Sequence, residues 1–272
     1  MLGRASDRIR PRSRVILHRI ARFSRTAAAA SAVLILSVCN APPLTSAPIP
    51  DGALRVLFIG NSLTYTNDLP ITLADLAESG GGAPCFCASV AFPNFALVDH
   101  LAQGDAVRVL GSTHFDFVVM QQGPSASAEG REYLIQGVGA FAPLIARAGG
   151  RPAVLSVWPD RSRFGDFPGV LASAYAAATS VENGMVLPAG SAWLEAWRVD
   201  PTLSLYGPDG FHPSPLGTYL TALVIYQRLF GRSVVNIQAK ARVGGATQSW
   251  SSAILHVLQN AAEHANSTDG KP

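Results

Sequence analysis

The chain has 272 residues, of which 48% are hydrophobic and 14% are charged, a composition typical of a globular protein of one large domain or two small ones. The formal net charge of +3 is unevenly distributed, because residues 1–47 contain eight Arg and one Asp while the remainder contains 13 basic and 17 acidic residues. This mildly acidic remainder has no basic patch, which argues against a nucleic-acid partner.

Residues 1–47 are interpreted as a targeting segment and linker. Eight arginines precede the apolar run "AAAASAVLILSVC", which has about the length of a signal-peptide core and is short for a membrane span. We therefore expect export to the periplasm or the cell exterior, with membrane contact only through this segment. An uncleaved anchor, a start codon assigned too early, and lipid attachment at Cys39 in "LSVC" are the alternatives.

Residues 48–272 are predicted to form a single domain in which strands and helices alternate. Near-continuous apolar runs such as "RVLFIG" and "DFVVM" are typical of parallel strands buried on both faces, so the pattern indicates a layered α/β domain. The polar segment 161–169 is predicted to be an irregular loop that borders a site. The predicted strands are 54–59, 88–92 (with a start as early as 85), 115–120, 153–158 and 185–187, and the predicted helices are 71–78, 97–102, 131–148, 170–182, 215–230 and 248–265.

Two cysteines lie close together in "PCFCAS". Cys85 and Cys87 would point to the same face of a strand, where a disulfide between such near neighbours is expected to be strained. Two reduced, partly buried thiols are therefore at least as well supported as a disulfide. No spacing resembles a zinc site, and neither a metal nor an organic cofactor is expected.

Polar residues follow several of the predicted strands. Ser62 in "IGNSLTY" follows the first, Gln121 and Gln122 follow the third, and residues 158–160 follow the fourth. Ligands of open parallel sheets bind beyond the carboxyl ends of the strands, so these residues should meet at one edge. Ser62 taken alone could equally be a turn residue, because Gly, Asn and Ser are common turn formers.

A serine nucleophile needs a base, and the base needs an orienting carboxylate. His212 lies in "YGPDGFHPSPLG", three residues after Asp209, and a turn through Gly210 could bring the Asp209 carboxylate to its Nδ1. Separately, Asp209 suggests an Asp-Gly turn and His212 a helix cap. Together with Ser62, they predict a catalytic triad. His100, in "LVDHLAQG", is placed on a short helix.

Two blocks of the sequence resemble those of a known family. "VLFIGNSLTYTNDLP" is similar to the first block of the SGNH/GDSL hydrolase superfamily, in the branch with GNS rather than GDS, and "DGFHPSPLGTYL" is similar to its last block. The resemblance extends from about residue 54 to residue 231. It implies a three-layer α/β/α, flavodoxin-like fold with a central parallel sheet. It also implies a serine hydrolase with Ser62 as nucleophile, Asp209 as acid and His212 as base.

The sequence departs from the family at the oxyanion hole. The family uses a Gly N–H in its second block, where Asn94 of "FPNFALVDH" is the best match. Asn can adopt left-handed backbone geometry and still present its N–H. The third block usually supplies an Asn, but "VVMQQGPS" stands there. The resemblance therefore implies an oxyanion hole of the Ser62 and Asn94 N–H groups and the Gln121 amide, with Gln122 as the alternative. No G-x-S-x-G motif occurs, which argues against the α/β-hydrolase fold.

These observations predict an exported esterase that hydrolyses an acyl ester, for example an acetyl ester, of a small molecule, a glycan or a lipid. Two alternatives remain open. One is an acyltransferase that uses the same triad with a hydroxyl acceptor other than water. The other is a non-catalytic binding protein of the cell envelope, against which the intact Ser62, Asp209 and His212 count.

Overall fold

The computed structural model describes residues 49–237, 242–243 and 246–269. The predicted targeting segment, with Cys39, lies outside the described residues. These residues form a central sheet in which all five strands are parallel and follow the order β2-β1-β3-β4-β5. This is the doubly wound order of flavodoxin-like folds, whose ligand crevice lies beyond the carboxyl ends of β1 and β3. The strands are β1 Leu54–Gly60, β2 Cys85–Ala91, β3 Phe117–Met120, β4 Arg151–Leu155 and β5 Met185–Leu187.

Helices connect the strands and cover the sheet. No helix of the described ranges is long and apolar enough to cross a membrane. A small antiparallel hairpin, β6 Arg242–Val243 and β7 Ala246–Thr247, precedes the last helix. The helices are α1 Ser62–Tyr65, α2 Leu69–Ser79, α3 Leu97–Gln103, α4 Asp105–Ser112, α5 Ala128–Arg147, α6 Phe167–Thr179, α7 Ala189–Val199, α8 Pro215–Phe230 and α9 Ser252–Thr268.

The sheet separates two hydrophobic cores. Along β1, Val56 and Phe58 belong to the core that also contains side chains of α2, α7, α8 and α9. Leu57 and Ile59 belong to the other core, with side chains of α3, α4 and α5, while α6 contributes to both. Because successive residues of β1 are buried on opposite faces, the strand reads as a continuous apolar run. The predicted three-layer α/β/α fold is confirmed.

Some predicted boundaries were wrong. The fourth strand ends at Leu155 rather than at residue 158, because its neighbour β5 has only three residues with which to pair. The segment 161–169 is not an irregular loop: Arg161–Asp166 is a 3₁₀ helix, and α6 begins at Phe167. The Asp160 side chain accepts the Ser162 N–H at 2.8 Å and so caps this turn. Helices α1, α4 and α7 and the hairpin of β6 and β7 were absent from the prediction.

Cys85 and Cys87 form a disulfide, which is one of the two states that the sequence left open. Both residues lie on β2, an edge strand of the sheet. Their Cα atoms are 5.7 Å apart, which is within the usual range for disulfides. The pairing therefore needs no displacement of the strand.

Candidate active site

The predicted nucleophile stands at the sharp turn between β1 and α1. Ser62 is the first residue of α1, and Asn61 before it has an extended backbone with φ −132° and ψ −151°. The Asn61 side chain accepts the N–H of Leu63 at 3.1 Å and so caps the helix. The capped turn holds Ser62 beyond the carboxyl end of the central strand.

The three predicted triad residues are in direct contact. His212 Nε2 lies 2.8 Å from Ser62 Oγ, and His212 Nδ1 lies 2.5 Å from Asp209 Oδ2. The other carboxylate oxygen of Asp209 accepts the N–H groups of Phe211 and His212, both at 3.0 Å. Gly210 has φ +73°, a conformation that favours glycine and that lets the loop turn back on itself.

The charge of Asp209 favours one tautomer of neutral His212. The hydrogen bond from His212, assisted by the Phe211 N–H, lowers the pKa of Asp209 to about 2, so the carboxylate is ionised at neutral pH. An ionised carboxylate only accepts, so Nδ1 of a neutral His212 carries the hydrogen. Nε2 is then free to accept the hydroxyl hydrogen of Ser62.

The end of β4 holds the loop that carries His212. Trp158 Nε1 donates to the Phe211 carbonyl at 3.0 Å, and the Arg161 N–H donates to the Gly210 carbonyl at 2.8 Å. The Trp158 ring stacks on Trp193 of α7, with centroids 3.7 Å apart. The sequence predicted that residues after this strand would lie near the site, and the structure places Trp158 there.

Within the part of the chain that the structure describes, two backbone N–H groups, those of Ser62 and Asn94, are free to bind a ligand oxygen. In the hydrogen bonds of the described residues, the N–H groups of Ser62 and Asn94 have no acceptor. Asn94 has φ +61°, the left-handed geometry expected of it, in a turn closed by the Phe95 N–H on the Phe92 carbonyl at 3.3 Å. Asn61 Nδ2 donates to the Phe95 carbonyl at 3.1 Å and links the two turns.

The arrangement of Gln121 does not suit the oxyanion role expected of it. Its Nε2 donates to Asn61 Oδ1 at 2.9 Å and to the Gln122 carbonyl at 2.7 Å, so both amide hydrogens are engaged. Its Oε1 accepts from the Asn61 N–H at 3.1 Å and from the Thr64 hydroxyl at 2.9 Å. Gln121 is buried and supports the nucleophile turn from below. A Cβ at Gly60 would lie 2.5 Å from Gln121 Oε1, so this network requires glycine there.

Gln122 differs from Gln121 in its hydrogen bonds. Its Oε1 accepts the N–H of Leu97, the first residue of α3, at 3.3 Å, and its Nε2 donates to Ser125 Oγ at 3.0 Å. The second Nε2 hydrogen has no acceptor among the described residues. Leu97 follows Asn94 by three residues, so the Gln122 side chain lies against the segment that carries the predicted second donor. From the sequence, Gln121 is predicted for the oxyanion role and Gln122 is the alternative.

Two cavities adjoin the loop of Asp209 and His212. One of about 350 Å³ is lined by Arg161, Phe164, Trp197 and Tyr206, together with residues 201–205. Tyr206 also lines a second cavity of about 560 Å³ that includes Asp209 and His212. Across the described part of the chain, no group of three or more His, Cys, Asp or Glu side chains could hold a metal ion.

Comparisons with known proteins agree with this fold. No protein-family model and no curated protein matches the sequence. A solved structure from Slackia heliotrinireducens, assigned to the SGNH hydrolases, is 27% identical with a TM-score of 0.51, over 64% of this chain and 98% of that chain. A DUF4886 family protein from Bacteroides uniformis is 16% identical with a TM-score of 0.60, over 80% and 96%. A lipase/acylhydrolase from Enterococcus faecalis is 17% identical with a TM-score of 0.53, over 65% and 96%.

The fold is therefore that of a hydrolase with a flavodoxin-like α/β/α architecture. The predicted resemblance to the SGNH/GDSL hydrolase superfamily is confirmed, because the chain is similar to the SGNH hydrolase from Slackia heliotrinireducens over 98% of that chain.

Proposed function

We propose that this hydrolase is a serine esterase in which Ser62 is the nucleophile, His212 the general base and Asp209 the orienting acid. One observation carries the proposal: a continuous chain of hydrogen bonds runs from Ser62 Oγ through His212 to the Asp209 carboxylate, with distances of 2.8 Å and 2.5 Å. An activated serine requires this order of groups, because the imidazole must accept the hydroxyl proton and the carboxylate must orient the imidazole.

The reaction follows from these contacts. Ser62 Oγ attacks the ester carbonyl while His212 Nε2 takes its proton, and the carbonyl oxygen becomes an oxyanion. The intermediate collapses, the C–O bond to the alcohol breaks, and His212 protonates the departing alcohol. Water then attacks the acyl-enzyme with His212 again as base. His212 then returns the proton to Ser62 Oγ as the bond between Oγ and the acyl carbon breaks, and the carboxylic acid leaves.

The oxyanion would be held by hydrogen-bond donors that are in place before the reaction. The Ser62 and Asn94 N–H groups have no acceptor among the described residues, and the second Nε2 hydrogen of Gln122 is the third donor in this proposal. Donors aimed at charge that develops in the transition state lower the barrier without tightening ground-state binding. Gln122 replaces Gln121 here, because the amide hydrogens of Gln121 are engaged elsewhere.

The substrate proposed is an acyl ester of a carbohydrate, for example an acetyl ester. The cavity of about 350 Å³ beside the catalytic loop combines the rings of Phe164, Trp197 and Tyr206 with Arg161, Thr202 and Ser204. Aromatic faces together with hydroxyl and guanidinium groups suit a polar ring better than a long acyl chain, which needs a continuous apolar channel. The Arg161 N–H bonds the Gly210 carbonyl at 2.8 Å, so the cavity wall is tied to the loop of His212.

Covalent labelling tests the proposal. A fluorophosphonate should modify the wild-type protein, with mass spectrometry locating the adduct on Ser62, whereas Ser62→Ala should not react. Ser112→Ala, an exposed serine of α4, is the control and should label like wild type. An unlabelled wild-type protein would favour a non-catalytic binding role. Product analysis with an added sugar acceptor separates hydrolysis from acyl transfer.

A further inference from the structure

We propose that His100 is a positioning residue that sets the distance between the two backbone donors of the oxyanion hole. The inference rests on the proposed esterase function. His100 lies on α3 and is fully buried, and its Nε2 is 2.7 Å from the carbonyl oxygen of Gly60. Gly60 ends β1, two residues before Ser62, so the imidazole bonds the backbone that leads into the nucleophile turn.

The contact defines the tautomer of His100. A carbonyl oxygen only accepts hydrogen bonds, so Nε2 must carry the hydrogen. Burial lowers the pKa of His100, which favours the neutral ring. In the neutral ring Nδ1 is a bare acceptor, and among the described residues it is buried without a partner. An apolar side chain would avoid this unpaired nitrogen, so packing alone does not explain a histidine at this position.

The ring of His100 also contacts the turn that carries the other donor. It packs against Phe92 and Phe95, with ring centroids 5.8 Å and 5.1 Å away. These residues bracket Asn94, whose turn is closed by their backbone hydrogen bond. The His100 side chain therefore bonds the strand that leads to the Ser62 N–H and also packs against the turn that presents the Asn94 N–H.

Donor geometry decides how strongly the oxyanion is stabilised. The donors must lie within hydrogen-bond distance of the position that the oxyanion reaches, and small displacements of such groups cost about 10²-fold in rate. Loss of the hydrogen bond to Gly60 would let the two turns move apart. Two links would remain and limit this movement: the bond from Asn61 Nδ2 to the Phe95 carbonyl, and the bond from the Phe92 N–H to the Gly60 carbonyl at 3.2 Å. Loss of the His100 hydrogen bond should therefore lower kcat and leave KM nearly unchanged.

Three variants test this proposal. His100→Phe keeps an aromatic ring but removes the donor, and kcat on a small acetyl ester should fall about 10- to 100-fold with KM within about twofold. His100→Gln carries an amide donor at a reach similar to that of Nε2 and should restore most of the loss. Leu110→Ala, a buried residue of α4, is the control for destabilisation and should lower Tm without changing kcat at a temperature well below unfolding.

The outcomes separate positioning from packing. The proposal is overturned if folded His100→Phe keeps kcat within about threefold of wild type, or if His100→Gln is as slow as His100→Phe. Should His100→Phe not fold, His100→Asn replaces it, because its shorter amide does not reach Gly60. Labelling of Ser62 in the wild type is measured in parallel. If the wild type does not label, the esterase function fails, whereas labelling with normal His100→Phe turnover refutes only the positioning role.

Discussion

Gln121 and Gln122 are neighbours in sequence, yet we expect their removal to have different effects. Gln121→Ala should mainly destabilise the fold, and Gln122→Ala should mainly slow the reaction. The distinction follows from their hydrogen bonds, because Gln121 makes four bonds within the nucleophile turn and its surroundings, whereas Gln122 keeps one amide hydrogen without an acceptor among the described residues.

The size of the Gln121 effect follows from the groups left behind. In Gln121→Ala, the Asn61 N–H and the Gln122 carbonyl lose the partners that they have at 3.1 Å and 2.7 Å. The Thr64 hydroxyl can rotate, and Asn61 Oδ1 keeps the Leu63 N–H. Two buried groups without partners cost about 1–3 kcal/mol each. The free energy of unfolding should fall by about 2–6 kcal/mol, which lowers Tm by about 5–15 °C.

Gln122→Ala removes the proposed donor to charge that develops only in the transition state. We expect kcat to fall about 10²- to 10³-fold with KM nearly unchanged. Stability should fall less than in Gln121→Ala, because the Ser125 hydroxyl retains its bond to the Gly123 carbonyl at 3.1 Å. The control is Gln136→Ala on α5, whose exposed side chain bonds only Glu132 and should change neither quantity.

Steady-state kinetics on a small acetyl ester and thermal unfolding distinguish the two residues. The reasoning is refuted if Gln121→Ala lowers kcat as expected for Gln122→Ala while Tm stays constant, since Gln121 would then be the oxyanion donor. If Gln122→Ala leaves kcat unchanged, the oxyanion hole is built from backbone N–H groups alone.

Further expectations concern the triad and the cavity. Ser62→Ala and His212→Ala should each lower turnover at least about 10³-fold, and the double variant should lose little more, because the triad acts as a unit. Steady-state kinetics of the three variants test this expectation, and losses that multiply in the double variant would contradict it. Asp209→Asn should lower kcat on a small acetyl ester with the fold retained, because an amide favours the wrong tautomer of His212. Since the folded pKa of Asp209 lies below its ordinary 3.8, its stabilisation is present above that value and is lost as pH falls toward 2, so the difference in urea midpoint between wild type and Asp209→Asn should shrink in this range. Phe164→Ala should raise KM for an acetylated oligosaccharide without changing kcat on a small ester, while Tyr175→Ala, a similarly exposed aromatic residue at 46% against 47%, should change neither; equal effects would remove the cavity from substrate binding.

The sequence by itself determined the fold class and identified the residues of the proposed triad. Strands buried on both faces must be apolar at nearly every position, so β1 and β3 are visible in the sequence as uninterrupted runs. Asp209 and His212 are three residues apart on one loop, and the glycine between them is the residue that such a turn needs. Both signals are local, which is why they can be recognised without coordinates.

Features that depend on distant partners were decided only by the tertiary structure. The different hydrogen bonding of Gln121 and Gln122 depends on Asn61, which lies 60 residues from Gln121. The disulfide of Cys85 and Cys87 joins near neighbours, but it depends on the conformation of an edge strand. His100 appeared in the sequence as a helical residue, and its bond to Gly60 spans 40 residues. At a strand end, a shift of one residue sends a side chain to the opposite side, and only the packed neighbours determine which side carries the site.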